Sequence, residues 1–468
     1  MSTVVPPADG GVDDPGAPIE SLEELVEYFA SAAKPREDFR IGTEHEKFGF
    51  LVENHAPLPY DGPNGIEAIL NAIADDEEEA RTGPWRRIVE DGHTIALYKD
   101  NATISLEPGG QIELSGAPLA TLHETCAETG QHLALLKRIC LPRGVGFLGI
   151  GFHPTARWSE MPEVPKSRYG IMRRYMPTKG TRGLDMMKRT CTVQANFDYG
   201  SEADMVASFR SALAVAPLAT ALFANSPFVE GRPTGALSER TRVWQDTDPD
   251  RSGFPPVVFE EGFGFERWLD FVLQVPMYFI RRGGTHLDYA GADFRTFMTS
   301  GIDGHRATLR DFEDHLTTVF TEVRMKRFLE VRSADCGPWS QICALPALYK
   351  PLFYDEEARA AAWALMDEPT AAELHALQQD AAVRGFDASY RGRGVHELCA
   401  ALLEISRAGL MRIRSETRGR DETGFLRPLV EAVEKKQTFA DRLLERYRTE
   451  WSGSIEPLWD DLEFLSDA

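Results

Sequence analysis

Two short stretches of this sequence gather acidic side chains at spacings that suit metal chemistry. In "TEHEK", Glu44 and Glu46 are two residues apart, so a strand would place both carboxylates on one face. In "SLEPGGQIELSG", a Pro-Gly-Gly turn separates two half-strands, and pairing of Glu107 with Gln111 would bring Glu107 and Glu113 onto one face. Like charges this close destabilise a bare sheet, so the four carboxylates need partners or a function.

Two interpretations of these acids stay open at this point. The carboxylates could lie on a solvated face or pair with Arg and Lys side chains, which is an ordinary structural arrangement. Alternatively, they could be oxygen ligands for a hard divalent cation such as Mg²⁺, which prefers carboxylates together with substrate phosphates.

Two segments rich in Arg and Lys could balance the charge of these acids. They are "YGIMRRYMPTKGTRGLDMMKRT", residues 169–190, and "TEVRMKRFLEVR", residues 321–332. Either could be surface charge. If they converge on the acidic strands, their Arg groups could clamp a phosphate or a substrate carboxylate, and an anion held between Arg groups and metals is the geometry of phosphoryl transfer.

The elements that must position these residues follow from hydrophobic periodicity. Period-two alternation predicts strands over residues 39–53 and within 189–200, the second with a polar face that carries Gln194 and Asn196. Period 3.6 and capping signals predict helices over the remaining segments: residues 21–29, within 61–90, 119–141, 201–224, 264–275, 311–330 and much of the C-terminal part. The mixture indicates an α+β fold with an antiparallel sheet whose polar face lines a site.

Composition narrows the function. The chain has 468 residues with 51 Lys and Arg against 73 Asp and Glu, a net charge of −22, which disfavours nucleic acid and anionic membranes as partners. We expect no membrane-spanning helix. Residues 1–19 are acidic and rich in Pro and Gly, which predicts a disordered leader before a single domain over 20–468, and the lack of a targeting pattern predicts a cytoplasmic location.

Several familiar motifs are absent or weak. "GVGFLG", residues 144–149, matches the dinucleotide-binding pattern, but Pro142 precedes it and no helix start follows, so a closely packed strand is the better interpretation. His45 faces away from its two glutamate neighbours, which favours a packed histidine over a metal ligand. The six cysteines have no C-x-x-C spacing, and most are expected to be buried thiols.

Six longer motifs carry a resemblance. The segments "RIGTEHEKFGF", "ISLEPGGQIELSGAPL", "GLDMMKRTCTVQANFDY", "ATALFANSPF", "GFGFERWLDFVLQVPMYF" and "HLTTVFTEVRMKRFLEVRSADCGPW" together resemble the glutamate–cysteine ligases of the plant and proteobacterial type. The resemblance implies the glutamine synthetase-like carboxylate-amine ligase fold, a curved antiparallel sheet that forms a funnel surrounded by helices. It also implies ATP-dependent ligation of L-glutamate to L-cysteine with Mg²⁺, the first step of glutathione synthesis; a related γ-glutamyl ligase with another amine acceptor is the alternative.

The resemblance also implies roles for particular residues. The implied roles are metal ligation by Glu44, Glu46, Glu107 and Glu113; catalysis and substrate binding by Arg168 and Arg240; substrate contact by Tyr278, Gln194 and Asn196; and phosphate contact by Lys326, Arg327 and Arg332. Cys126 and Cys343 match a regulatory disulfide of the plant enzymes, which implies a monomer or a redox-linked homodimer. The second plant disulfide is missing, because Tyr289 and Asp303 stand where its cysteines are expected.

Overall fold

The structure, a computed structural model, describes residues 16–464. Most of the predicted leader, residues 1–15, therefore lies outside the described residues. Its last residue, Ile19, is buried, and the Ile19 amide donates a hydrogen bond to the carbonyl oxygen of Ala307 at 2.9 Å. Residue 19 is thus packed against the rest of the chain.

A curved antiparallel sheet is the centre of the fold. Its strands and those of the small two-stranded sheets are β1 (Ile41–Leu51), β2 (Arg86–Glu90), β3 (His93–Lys99), β4 (Ala102–Leu106), β5 (Ile112–Ser115), β6 (Val145–Leu148), β7 (Thr192–Phe197), β8 (Phe228–Val229), β9 (Arg232–Pro233), β10 (Ser252–Gly253), β11 (Phe279–Arg282), β12 (Thr285–Asp288), β13 (Phe320–Thr321), β14 (Val323–Met325), β15 (Leu329–Asp335), β16 (Ser389–Tyr390) and β17 (Arg393–Gly394). Within residues 16–464, the main sheet has nine strands in the order β14-β15-β7-β1-β5-β4-β3-β2, with β6 paired to β1.

Helices surround this sheet. They are α1 (Leu22–Ala30), α2 (Ile66–Ala74), α3 (Glu77–Ala80), α4 (Leu122–Cys140), α5 (Ser167–Tyr175), α6 (Gly183–Arg189), α7 (Glu202–Leu222), α8 (Glu239–Trp244), α9 (Phe265–Gln274), α10 (Phe294–Ser300), α11 (Leu309–Leu316), α12 (Trp339–Tyr354), α13 (Glu356–Leu365), α14 (Ala371–Arg384), α15 (Val395–Thr417), α16 (Arg427–Glu434), α17 (Phe439–Thr449) and α18 (Leu458–Asp461). The predicted α+β class with a funnel-forming antiparallel sheet and a helical C-terminal part is confirmed.

The apolar face of the sheet packs on the long central helices. Phe197 of β7 stacks on Phe353 of α12 with ring centroids 4.3 Å apart. On the same face of β1, His45 is fully buried, and its ring lies 5.6 Å from that of His132 on α4. His45 is therefore a packed histidine, as the alternation predicted.

The predicted helix over residues 311–330 is wrong beyond residue 316. Helix α11 ends at Leu316, and the chain then forms β13, β14 and β15. The charges in this segment hid an alternation in which Val323 and Met325 face the core while Arg324 points to the polar face. A similar error affects residues 61–90, where α2 and α3 are followed by the strand β2.

The "GVGFLG" segment forms a strand with close packing, as predicted. It contains β6, which pairs antiparallel with β1. A Cβ atom on Gly146 would lie 2.5 Å from the ring of Phe50, and one on Gly149 would lie 2.6 Å from the ring of Phe464. These glycines permit close packing and do not approach a dinucleotide.

Helix α7 is a long, apolar and mostly buried helix of the core. Within residues 16–464, it is the one helix long and apolar enough to cross a membrane, and 83% of its apolar window is buried in the protein. Its burial against α13, α14 and β15 accounts for that composition.

A disulfide joins α4 to α12. Cys126 and Cys343 are bonded, with Cα atoms 5.6 Å apart. The other cysteines, all within the described residues, are buried free thiols.

Candidate active site

The polar face of the main sheet lines a cleft with about 950 Å³ of empty space, part of it open to solvent. Acids and bases meet there. The charged lining residues are Glu44, Glu46, Glu107, Glu113, Arg168, Arg240, Arg324, Lys326 and Arg332. The sequence-predicted metal set and most of the predicted substrate-binding set therefore meet in one place.

The acidic half of the cleft is built by β1, β5 and β4. Glu46 lies directly opposite Glu113 in the antiparallel pairing of β1 with β5. Glu113 also faces Ser105 of β4, whose hydroxyl donates a hydrogen bond to Glu113 Oε2 at 2.7 Å. Glu46 Oε2 accepts a hydrogen bond from the amide of Thr192 at 2.9 Å. The sheet register thus places two carboxylates side by side in a buried position.

The pKa values of these acids reflect their surroundings. Burial, with the negative charges of Glu44 and Glu107, raises the pKa of Glu113 to about 8. Burial also raises the pKa of Glu46 well above its usual value, with Glu107 and Glu113 acting in the same direction. The pKa of Glu107 is raised as well, chiefly by burial. These carboxylates share a need for positive charge, which a proton or a divalent cation can supply.

The turn that carries Glu107 is held by hydrogen bonds between the Gln111 side chain and backbone groups. Gln111 accepts a hydrogen bond from the Gly109 amide at 2.9 Å and donates one to the Thr190 carbonyl oxygen at 2.9 Å. A Cβ atom on Gly109 would lie 2.3 Å from the carbonyl oxygen of Lys188, and Gly110 has φ of +79°. The Gly-Gly pair is therefore required by the packing of the turn against α6.

The basic half of the cleft is built by β14 and β15 around Glu330. Arg324 donates three hydrogen bonds to this carboxylate, at 2.8, 2.8 and 3.0 Å. Lys326 and Arg332 lie 3.1 and 2.5 Å from it. Burial alone would raise the pKa of Glu330, but these cations hold it well below its usual value. The side chain of Gln194 on β7 accepts a hydrogen bond from Arg332.

Arg240 and Arg168 enter the cleft from helices. On α8, the Arg240 guanidinium donates to the Arg332 carbonyl oxygen at 2.9 Å and lies 5.9 Å from the centroid of the Trp244 ring. At the first turn of α5, the Arg168 guanidinium lies 5.1 Å from the centroid of the Tyr169 ring. Both side chains line the cleft, where planar guanidinium groups suit carboxylate or phosphate.

Three predicted site residues, Tyr278, Arg327 and Asn196, do not line the cleft themselves. Tyr278 is buried outside the cleft, with Arg251 3.9 Å from the centroid of its ring. Arg327 points away from the cleft because it sits in the β14–β15 turn, and it donates to the Tyr28 carbonyl oxygen at 3.2 Å. Asn196 donates to Glu44 Oε1 at 2.7 Å and so orients an acid. The structure thus places Tyr278 and Arg327 away from the site.

Sequence reasoning missed Arg324, Glu330 and Lys166. A strand signal for the first two was present in the sequence. Arg324, Lys326, Glu330 and Arg332 are separated by two, four and two positions, as one face of a strand requires, but the segment was interpreted as a helix. Lys166 is buried beside the acids, and its Nζ donates to the Leu106 carbonyl oxygen at 2.8 Å. Burial, with the charge of Arg168, lowers the pKa of Lys166 to about 7.

The chain has the fold of the carboxylate-amine ligases. A solved structure of glutamate–cysteine ligase from Francisella tularensis in complex with AMP has a similar fold, with a TM-score of 0.55 over 89% of this chain and 86% of that chain at 10% identity. That likeness shows the fold alone.

Sequence comparison then gives the family. Residues 40–461 match glutamate-cysteine ligase family 2. The chain is 48% identical over 443 residues to the chloroplastic glutamate–cysteine ligase B of Oryza sativa subsp. japonica, covering 94% of this chain and 86% of the relative. It is 47% identical to the chloroplastic glutamate–cysteine ligase of Arabidopsis thaliana, covering 94% and 82%. The chain belongs to the glutamate–cysteine ligase family, as the sequence motifs predicted.

The same comparison corrects one prediction. The cytoplasmic location inferred from the first residues is wrong, because the relatives from rice, Brassica juncea and Arabidopsis thaliana are chloroplastic enzymes. The lack of a recognisable targeting pattern in residues 1–19 does not establish a cytoplasmic location.

Proposed function

We propose that the protein joins the γ-carboxylate of L-glutamate to the amine of L-cysteine at the expense of ATP, the first step of glutathione synthesis. Family membership supports the reaction. The observation that carries it in the structure is the cleft that Glu46, Glu107 and Glu113 line together with Arg324 and Arg332. This arrangement suits a reaction between two anions, a carboxylate and a phosphoryl group.

The acids fit a resident Mg²⁺ site. Glu46 and Glu113 are directly opposed and buried, and their raised pKa values, with that of Glu107, suit neutralisation by a hard divalent cation. Together with Glu44, which lines the same cleft, these residues would hold the cation. Bound there, magnesium would offset negative charge on the phosphates of ATP. Residues 20–468 would form the single catalytic domain that carries this site.

The basic side chains act on the substrates. In the first step, an oxygen of the glutamate γ-carboxylate attacks the γ-phosphorus of ATP, and the bond to ADP breaks. Lys326 and Arg332 bind the phosphate oxygens as charge moves between them. Arg168 and Arg240 hold the carboxylates of the two amino acids by paired hydrogen bonds.

The second step releases phosphate. The neutral amine of cysteine attacks the acyl carbon of γ-glutamyl phosphate, the carbon–oxygen bond to phosphate breaks, and the nitrogen loses a proton. The basic half of the cleft, with its cations already ordered around Glu330, receives the phosphate. Gln194, bonded to Arg332, keeps that guanidinium in place.

The direct test is a ligase assay on the purified protein. Glutamate, cysteine and Mg-ATP should give phosphate, ADP and γ-glutamylcysteine in equal amounts. Parallel reactions with alanine or 2-aminobutyrate in place of cysteine test the alternative acceptor. Phosphate release that does not depend on cysteine, or that is faster with another amine, would contradict the proposed acceptor.

We also propose that the Cys126–Cys343 disulfide links redox state to activity or to the choice between monomer and homodimer. Its support is the covalent link between α4 and α12, the helix that packs on β7 of the site. Reductant should change turnover or sedimentation of the wild type, and Cys126→Ser should remove that response. Cys399→Ser, at a buried free thiol, is the matched control and should keep it.

A further inference from the structure

Three side chains from distant parts of the sequence meet beside the cleft. Ser167 is the first residue of α5, Glu90 is the last residue of β2, and His286 lies on β12. The Ser167 hydroxyl lies 2.5 Å from Glu90 Oε1 and 2.7 Å from His286 Nδ1, and the Ser167 amide donates to the same Glu90 oxygen at 2.7 Å. The cluster joins the edge of the main sheet, the start of a helix and the small β11–β12 sheet.

The direction of these hydrogen bonds follows from the inventory of donors. A hydroxyl carries one proton, and an ionised carboxylate only accepts, so Ser167 donates to Glu90. His286 Nδ1 must then donate to Ser167. The imidazole is neutral, since burial and the charges of Arg168, Arg281, Lys166 and Arg310 lower the pKa of His286 to about 3.

This order of bonds excludes a nucleophilic serine. In a Ser-His-acid triad, histidine lies between the hydroxyl and the acid and accepts the hydroxyl proton. Here Ser167 lies in the middle, its proton is held by Glu90, and its own amide is bonded to Glu90 as well. The cluster is therefore a structural junction rather than a hydrolytic site.

Both neighbours of the junction reach into the cleft. Arg168 follows Ser167 directly and lines the cleft. Phe279 of β11 also lines it, and its ring lies 4.9 Å from that of His286, edge to face. Fixing Ser167 therefore fixes the first turn of α5 and the direction in which Arg168 leaves it.

We propose that Ser167, held between Glu90 and His286, is a positioning residue that aims Arg168 at a substrate carboxylate. This inference rests on the proposed role of Arg168 in binding one of the two amino acids. In the proposed function, Lys326 and Arg332 bind the phosphates of ATP, so the junction should affect an amino acid more than ATP.

The test is a comparison of KM values. Ser167→Ala should raise KM for one amino acid about tenfold, the loss of one hydrogen bond to a charged group, while KM for ATP changes less than about twofold. His286→Leu should act in the same direction. His286→Asn should restore most of the affinity, because the amide Nδ2 can donate from nearly the place of Nδ1.

A mutant cycle separates this inference from the role of Arg168. Arg168→Met should raise KM for the same amino acid, and adding Ser167→Ala to it should raise KM no further. Additive effects, or an equal rise in KM for all three substrates, would overturn the inference while leaving Arg168 as a substrate contact. No effect of Arg168→Met on either amino acid would overturn both.

A second hydroxyl provides the matched control. Ser201 caps α7, accepting a hydrogen bond from the Asp204 amide at 3.1 Å, and does not line the cleft. Ser201→Ala removes a helix cap without touching the junction, so its KM values should match those of the wild type. A change of KM in this variant equal to that in Ser167→Ala would mean that helix stability alone produces the effect.

Discussion

The two halves of the cleft have similar burial and opposite charge balance. On β14 and β15, one carboxylate, Glu330, meets three cations. On β1 and β5, Glu46 and Glu113 meet each other. The same polar face of one sheet thus carries a half with excess positive charge and a half with excess negative charge.

This difference separates stability from function. The basic half is ordered without a ligand, because Glu330 pairs with all three cations, and it keeps excess positive charge for an anion. The acidic half opposes folding through desolvation and repulsion between its acids, and a ligand that supplies positive charge would relieve both.

The largest effect is expected for Glu113→Gln. Turnover should fall by roughly a thousandfold, because a metal ligand contributes several kcal/mol to stabilising the transition state. Without magnesium, the variant should be at least as stable as the wild type, since a neutral amide replaces a carboxyl group whose pKa is raised to about 8 by burial and neighbouring acids. Steady-state phosphate release and urea unfolding measure the two quantities.

The control for that variant is Glu266→Gln, at an exposed carboxylate on α9. It should leave both turnover and unfolding unchanged. Wild-type turnover in Glu113→Gln would remove this residue from the metal set.

Glu330→Gln should have the opposite effect on stability. The change leaves Arg324, Lys326 and Arg332 around a neutral amide, so the free energy of unfolding should drop by about 3 kcal/mol. Urea unfolding beside Glu113→Gln, both without magnesium, compares the two halves directly. If both variants lose the same stability, the contrast between the halves is wrong.

The pH dependence of stability should also distinguish the halves. Glu113 has a raised pKa of about 8, so the folded state holds a proton that the unfolded state releases near pH 4.5. Without magnesium, stability should therefore fall between pH 5 and 8 by on the order of 1 to 3 kcal/mol. The lowered pKa of Glu330 acts in the other direction, and its contribution is lost as the pH falls below about 4.5.

Urea unfolding from pH 3 to 9 with EDTA or with magnesium measures both contributions. Magnesium should flatten the fall on the alkaline side and leave the acid side unchanged. An acid side that responds to magnesium as strongly as the alkaline side would place the cation near Glu330 instead.

The smallest effect is expected for Arg327→Ala. This exposed side chain contacts Tyr28 and Ser31, so turnover should change by less than about twofold. Arg332→Ala, five residues away, is the paired comparison and should lower turnover far more. Comparable losses in kcat/KM for the two variants would restore Arg327 as a phosphate contact.

Sequence patterns predicted the acidic half better than the basic half. Alternation placed Glu44 with Glu46, and Glu107 with Glu113, because each pair lies within one strand or one tight hairpin. The opposition of Glu46 and Glu113 was out of reach, since it depends on the pairing of β1 with β5, two strands far apart in sequence. Arg324 and its pairing with Glu330 were missed for a local reason, because a dense run of charges obscured the period-two pattern of β14 and β15.

Positions set by tertiary contacts were also beyond the sequence. Nothing near Ser167 signals Glu90 or His286, which reach it from 77 and 119 residues away. Tyr278 illustrates the reverse case, since a tyrosine in a recognised motif packs on Arg251 beside the site rather than in it. Motifs therefore identified the family and the strand faces, whereas three-dimensional pairing decided which side chains share the cleft.

The Cys126–Cys343 bond gives the chain an unusual covalent topology. It closes a ring between residues 217 apart in sequence, and the basic residues that line the cleft, within the described part of the chain, all lie inside that ring. The four cleft glutamates lie on the open arm before it. When the disulfide is formed, a protease cut inside the ring leaves the chain covalently connected. A single cut between residues 113 and 126 instead places the four glutamates and the cations on different covalent fragments.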